Sequence, residues 1–383
     1  MHISATRLLL TSASLLLIAA CSSTDKADKP VALDKKFVQQ VEVKRLWRTS
    51  LGGELPKLRL GLAPAVDGNR VYISSGKGTV EALDLASGHE VWKRPLGTII
   101  GGGPGSGAGI VAVGSSAGQA IALSAADGKV LWRVPLGGEV LAAPAISGKV
   151  MVVHTVDGKL FGLSTVNGEQ LWVSDQQVPR LSLRGTSPPL IDGDVVYTGF
   201  DNGRLVAVTL AGGKAVWDVA VGQARGSSEL QRLIDVDSPA VIDGDDVFSV
   251  SYQGRVVRLA RDSGNLVWSR DVSSYRGLAI DASSVYVSTS DGEVVKFDRA
   301  NGTEQWRIKT LARRLLTAPV IYRGRIVLGD AEGYVHWIST SDGKLLAREK
   351  IGKRISATPI AAGDKLLIYT DTGELTAFST PPG

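Results

Sequence analysis

The sequence predicts an all-β protein: an eight-bladed β-propeller of four-stranded antiparallel blades, the last blade closed by the N-terminal strand. Three observations carry this. A phrase of tight turn and tryptophan recurs about every 40 residues, as in AADGKVLW (125–132). A second glycine series keeps a fixed distance from the first. The two ends of the chain each hold part of one further unit. Repeats of this length, made of short strands, are the signature of a propeller.

The closing turn appears as LASGHEVW (85–92), AADGKVLW, TVNGEQLW (165–172), LAGGKAVW (210–217), RDSGNLVW (261–268) and RANGTEQW (299–306). Each has a glycine four residues before a tryptophan. A seventh copy, TSDGKLLA (340–347), keeps Gly343 and has Ala347 in place of the tryptophan. Ten residues before each closing glycine stands another, from Gly78 and Gly118 to Gly333, and an eighth, Gly373, precedes Gly383 by the same distance. Between the paired glycines run strand-like segments such as TVEALDL and RLVAVTL. β-Branched residues favour strands, and hairpin turns favour glycine, asparagine and aspartate.

The eighth unit ends before its outer strand, whereas EVKRLWRT (42–49) offers a strand and Trp47 with no turn before it. Pairing the two closes the ring and removes an open sheet edge. A tryptophan required by every blade is framework, so Asp127 and Trp132 are read as structural. The glycine-rich GGGPGSGAG (101–109) lies where an inner strand should begin, and no helix follows to present an anion site. It is read as a flexible blade connection.

The N-terminus stands apart. Arg7 is followed by LLLTSASLLLIAA and Cys21, a run too short to span a bilayer stably. It reads as a secretory signal peptide. Ile18-Ala19-Ala20-Cys21 resembles a bacterial lipobox, in which the cysteine is acylated; Ser22 is compatible with the outer membrane. Cys21 is the sole cysteine, so it forms no internal disulfide. The expected division is a signal peptide at 1–20, a lipidated cysteine with a flexible tether at 21–40, and the propeller at 41–383.

No residue pattern in the sequence points to catalysis. The net charge of +5 is spread along the chain, without the concentrated basic face that nucleic-acid binding needs. His89, His154 and His336 fall in different units, without metal-ligand spacing, and are read as surface or sheet residues. The repeat resembles that of quinoprotein dehydrogenases, which implies a quinone, a calcium and often a vicinal disulfide. One cysteine excludes the disulfide. Asp243, Asp245 and Asp246 sit in a hairpin turn without further calcium ligands. A quinone-dependent dehydrogenase-like propeller and a carbohydrate-binding propeller remain the alternatives; the latter calls for outward aromatics, yet aromatic content is 6 %. No enzyme activity, cofactor or metal is expected.

Recognition in propellers resides in connections that depart from the repeat. From each tryptophan position to the next glycine of the upstream series, most units span 24 to 27 residues; three are longer, 47 to 78 and 172 to 203 at 31 and 217 to 254 at 37, the last two consecutive. These consecutive connections hold DQQVPRLSLRGTSPP (175–189) and GQARGSSELQRLIDVDSPA (222–240). Both run from an outer strand to the next inner strand, so they emerge on one face. Leucines among Arg180, Arg184, Asp235 and Asp237 suit an apolar centre with a charged rim. Internal pairing of Arg184 with Asp235 or Asp237 is the competing arrangement.

The lipobox, the quinoprotein-like repeats, LSLRG (181–185), RLIDVDSP (232–239) and GDAEGYVHWI (329–338) resemble the propeller lipoproteins of the outer-membrane β-barrel assembly machinery (the Bam complex). That resemblance covers the mature chain. It implies a palmitate-type anchor at Cys21, a periplasm-facing scaffold at the cell outer membrane, and a part in protein insertion into that membrane. It implies protein–protein interaction with the POTRA domains of BamA through Leu181, Leu183, Arg184, Asp235 and Asp237. Unfolded outer-membrane proteins adding a strand to an open blade edge are a further conceivable partner.

Overall fold

The computed structural model describes residues 29–52, 61–179, 185–222 and 233–383. Every regular element among them is a strand. Eight sheets stand in a ring. Blade three shows the plan: Ala145–Ser147 innermost, then Val150–His154, Lys159–Ser164 and Gln170–Asp175 outermost, each antiparallel to the next. Blade eight is built from Ile360–Ala362, Lys365–Tyr369 and Glu374–Ser379, and its outer strand is Lys44–Ser50. Lys44 pairs with Ser379 and Ser50 with Glu374, so the two chain ends close the ring as expected.

The recurring glycine and tryptophan have one cause. Each repeat tryptophan leans across to the following blade, and six of the seven donate the indole N–H to a turn carbonyl there. Trp92 reaches Ala125 (3.0 Å), Trp132 reaches Thr165 (3.0 Å) and Trp217 reaches Arg261 (2.9 Å). The closing glycine of that next turn lies flat against the ring. A Cβ on Gly128 would come within 2.5 Å of Trp92, and one on Gly168 within 2.7 Å of Trp132. Both also hold positive φ. The motif is therefore a set of inter-blade latches, and burial of each ring contributes about 3 kcal/mol or more.

Seven of the eight outer strands carry the latch tryptophan, and all eight carry a bulge at the residue just before that position: Leu46, Val91, Leu131, Leu171, Val216, Val267, Gln305 and Leu346 are skipped in the register. The extra residue sharpens the local twist. It turns the tryptophan inward and leaves its neighbour outside, which is why Val91, Leu131, Leu171, Val216 and Val267 are exposed aliphatics.

One expectation is corrected. GGGPGSGAG is no flexible connection: Ile100–Gly107 is the inner strand of blade two. Its glycines are required by crowding. A Cβ on Gly102 would sit 2.6 Å from the Ala142 carbonyl carbon, and one on Gly105 3.0 Å from that of Pro144. The chain leading into blade three lies directly on this strand, so side chains are excluded.

Residues 29–43 lie against blade seven. Val31 N–H donates to Ala312 O (3.1 Å), Arg314 to Val31 O (3.0 Å), Arg348 to Asp34 O (3.0 Å) and Gln40 N–H to Leu346 O (2.8 Å). Among the described residues no helix is long and apolar enough to cross a membrane.

Candidate functional site: the two long connections

Connections from an outer strand to the next inner strand all emerge on one face. Those of blades three to four and four to five, two of the three long ones, are neighbours there. Leu181, Leu183 and Arg184 lie outside the described residues, as does Cys21. The flanking parts show how the connections meet. Gly185 abuts Asp237 so closely that a Cβ would fall 2.6 Å from its carboxyl carbon. Ser187 Oγ donates to Ser238 O (3.1 Å).

The floor beneath them is built from blades three and four. His154 Nδ1 lies 3.0 Å from Ser187 O. Burial pushes this imidazole down to about 4, only partly opposed by that hydrogen bond, so it is neutral at ordinary pH. A carbonyl accepts only, so the ring proton sits on Nδ1 and fixes the tautomer. Thr198 Oγ1 adds a longer bond to the same carbonyl (3.4 Å), and Phe200 packs edge-on to the imidazole at 4.7 Å. His154 is thus a buried sheet residue that pins the end of the first connection.

The second connection returns to the ring through Ile234 to Ser238. Ile234 and Val236 are buried, and Val236 N–H reaches Phe200 O (3.4 Å). Asp235 forms an antiparallel bridge with Tyr252, whose N–H donates to its carbonyl at 2.8 Å. Its side chain is 1 % exposed, so it is no part of a charged rim. Alternation along an extended segment cannot place Ile234, Asp235 and Val236 on one buried face. Here the segment is wedged between blades four and five and covered on both sides. Asp237 is half-buried.

Three carboxylates converge: oxygens of Asp201, Asp235 and Asp237 lie within 4.8 Å of one another. Burial, then the charges of Asp237 and Asp201, push Asp235 up to about 10. It therefore holds its proton at neutral pH, because like charges this close cannot all ionise in a desolvated site. Sequence reasoning found Asp235 and Asp237 through the long connection. It missed Asp201, in the short FDNG turn of blade four, where only proximity marks it. Asp243 and Asp246, calcium-like in sequence, are bound by Arg299 and Arg258.

The chain is thus an eight-bladed propeller of latched blades in which two long connections meet on one face. The chain matches the family described as outer membrane protein assembly factor BamB over residues 38–97, 76–308 and 291–383. It is 46 % identical over 365 residues to the protein of that name from Pseudomonas aeruginosa, covering 95 % of this chain and 96 % of the relative. The Escherichia coli protein is 34 % identical over 373 residues, covering 94 % and 95 %. The crystal structure of BamB from Moraxella catarrhalis superposes with a TM-score of 0.82 at 28 % identity, over 88 % of this chain and all of that one. The chain belongs to the BamB family of outer-membrane protein assembly factors and is non-enzymatic. The quinohemoprotein alcohol dehydrogenase from Comamonas testosteroni shares the fold alone, with a TM-score of 0.71 at 13 % identity, over 88 % of this chain and 76 % of that one.

Proposed function

We propose that this chain is the scaffold lipoprotein of the Bam complex, docking on the POTRA domains of BamA through the two long connections. An acyl group on Cys21 holds it to the outer membrane on the periplasmic side. The observation that carries this is the meeting of the connections at Gly185–Asp237 and Ser187–Ser238. Two segments far apart in sequence form one continuous surface, and Leu181, Leu183 and Arg184 belong to the same connection as Gly185. The roles differ along that surface. Asp235 is buried and supports the loop; Asp237 and the leucine segment are the contact residues of this reading.

The test is binding of the soluble domain, from Ser22 onward, to purified BamA POTRA domains. Leu183→Ala and Asp237→Ala are compared with wild type, with melting checked. Loss of binding by ten-fold or more with an unchanged melt supports the reading, since truncating an interface hot spot costs about 2 kcal/mol or more. Unchanged binding in both variants sinks it.

A second reading has one observation in its favour. The exposed aliphatics on the outer strands of blades one to five offer apolar contact beside open sheet edges, which an unfolded outer-membrane protein could meet by strand addition. Crosslinks from Leu131 or Leu171 to such a chain would support it. Labelling confined to the loop face would end it.

A further inference from the structure

From the contacts of residues 29–43 we infer that this segment is an anchor strap: it fixes where the lipidated N-terminus leaves the propeller, at the rim of the loop face. The inference rests on the proposed acylation of Cys21.

The strap has a defined path. Its first described residue, Lys29, accepts from Arg313 Nε at 2.7 Å. Val31 is held on both sides, by Ala312 O and by Arg314. Residues 309–319 connect the outer strand of blade six to the inner strand of blade seven, the same class of connection that carries Asp235 and Asp237. Lys29 is therefore on the loop face. The segment then descends the outer edge of blade seven. Phe37 lies under the Arg348 guanidinium at 5.4 Å, and Gln40 N–H bonds the carbonyl of Leu346. Leu346 is the bulged residue of that outer strand. Val41 and Val43 end on the core cluster that contains Ala347 and Trp337. The Lys44–Ser50 strand starts from the opposite face and runs back up.

The site of docking is specific. Blade seven is where the repeat lacks its latch tryptophan, and the following blade has no closing turn to receive one, because its outer strand comes from the N-terminus. The strap covers that seam. Arg314, the residue that grips Val31, is itself fixed by Asp330 at 2.7 Å and by Glu332.

The consequence is a shortened leash. An extended chain covers about 3.5 Å per residue. From Cys21 to Lys29 that is at most about 28 Å; were the segment free to Lys44, it would be about 80 Å and would start from the other face. The strap thus holds the face with the long connections towards the lipid surface.

The test uses acylated protein in phosphatidylethanolamine–phosphatidylglycerol vesicles containing a headgroup quencher. One dye is placed by Lys353→Cys on the loop face, another by Ala300→Cys in a turn on the opposite face. The strap is released by Val31→Pro with Gln40→Pro, which removes its two backbone donors and alters no ring residue. Quenching several-fold stronger at position 353 than at 300, equalised by the double proline variant, supports the strap. Equal quenching in the parent protein overturns it. So does a difference that persists when hydrogen exchange shows residues 31–40 released. Mass analysis of the Cys21 peptide separates the two ideas: an unacylated cysteine defeats the anchor reading and its strap role, even if the Val31 and Gln40 amides stay protected.

Discussion

Trp306 provides an internal control for the latch argument. Six of the seven latch tryptophans donate the indole N–H to a carbonyl three residues before the neighbouring glycine. Trp306 Nε1 is buried without an acceptor. The carbonyl that should receive it, Thr340 O, is taken by Lys296 Nζ at 3.0 Å. The ring still packs on the next turn, with Gly343 beside it. Trp217→Phe and Trp306→Phe therefore remove similar apolar area and differ in the hydrogen bond. At Trp217 the loss is about 1 kcal/mol for the bond, and the Arg261 carbonyl is left short of a partner. At Trp306 the substitution deletes an unpaired buried donor, whose desolvation costs about 1–3 kcal/mol. The expected gap is about 2 kcal/mol, with Trp306→Phe the milder. Urea unfolding of the soluble domain, read as a midpoint shift at constant slope, measures it. Equal losses, or a larger loss at Trp306, would refute the claim that the indole hydrogen bond matters to the seams.

Gly185→Ala should weaken POTRA binding as much as Asp237→Ala, since the new methyl displaces that carboxylate; Gly212→Ala, whose methyl would meet nothing nearer than Thr209 Oγ1 at 3.9 Å, is the control in the same binding assay. Asp235 gives a pH signature. Its folded value is raised above the unfolded one, so the native state binds the extra proton and stability falls as pH rises above about 4, by up to about 1.4 kcal/mol per unit. Asp235→Asn should flatten the fall between pH 5 and 8 in chemical unfolding, and an unchanged slope would count against it. His154 acts oppositely: its lowered value makes stability fall as pH drops from about 6.5 towards 4. Arg314→Met leaves Asp330, itself fully buried and bonded to His336 at 2.9 Å, without its guanidinium. A loss of about 3–5 kcal/mol is expected, and a melt within a degree of wild type would contradict it.

The blade count, the closure of blade eight and the position of the two irregular connections were all legible in the sequence. Each is written in local terms. A turn that needs positive φ selects glycine wherever it occurs, a strand selects β-branched residues, and eight repetitions make the pattern unmistakable. The same logic failed at GGGPGSGAG, because local glycine content suggests freedom when the cause is crowding from residues 140–144. It failed at Asp235 too, where charge suggested a solvent-facing rim. Asp201 gave no signal at all, since its turn resembles every other turn of its class.

The sequence by itself determined which segments are strands, which turns repeat and where repetition breaks, because those depend on residues adjacent in the chain. Only the tertiary structure decided which groups face one another. The tryptophan of one blade latches the next. Asp201 and Asp235 share a site across 34 positions. Residues 29–43 lie on a blade almost 300 residues away. Such partners are chosen by ring closure, which brings together surfaces whose separation in the chain carries no information about their distance in space.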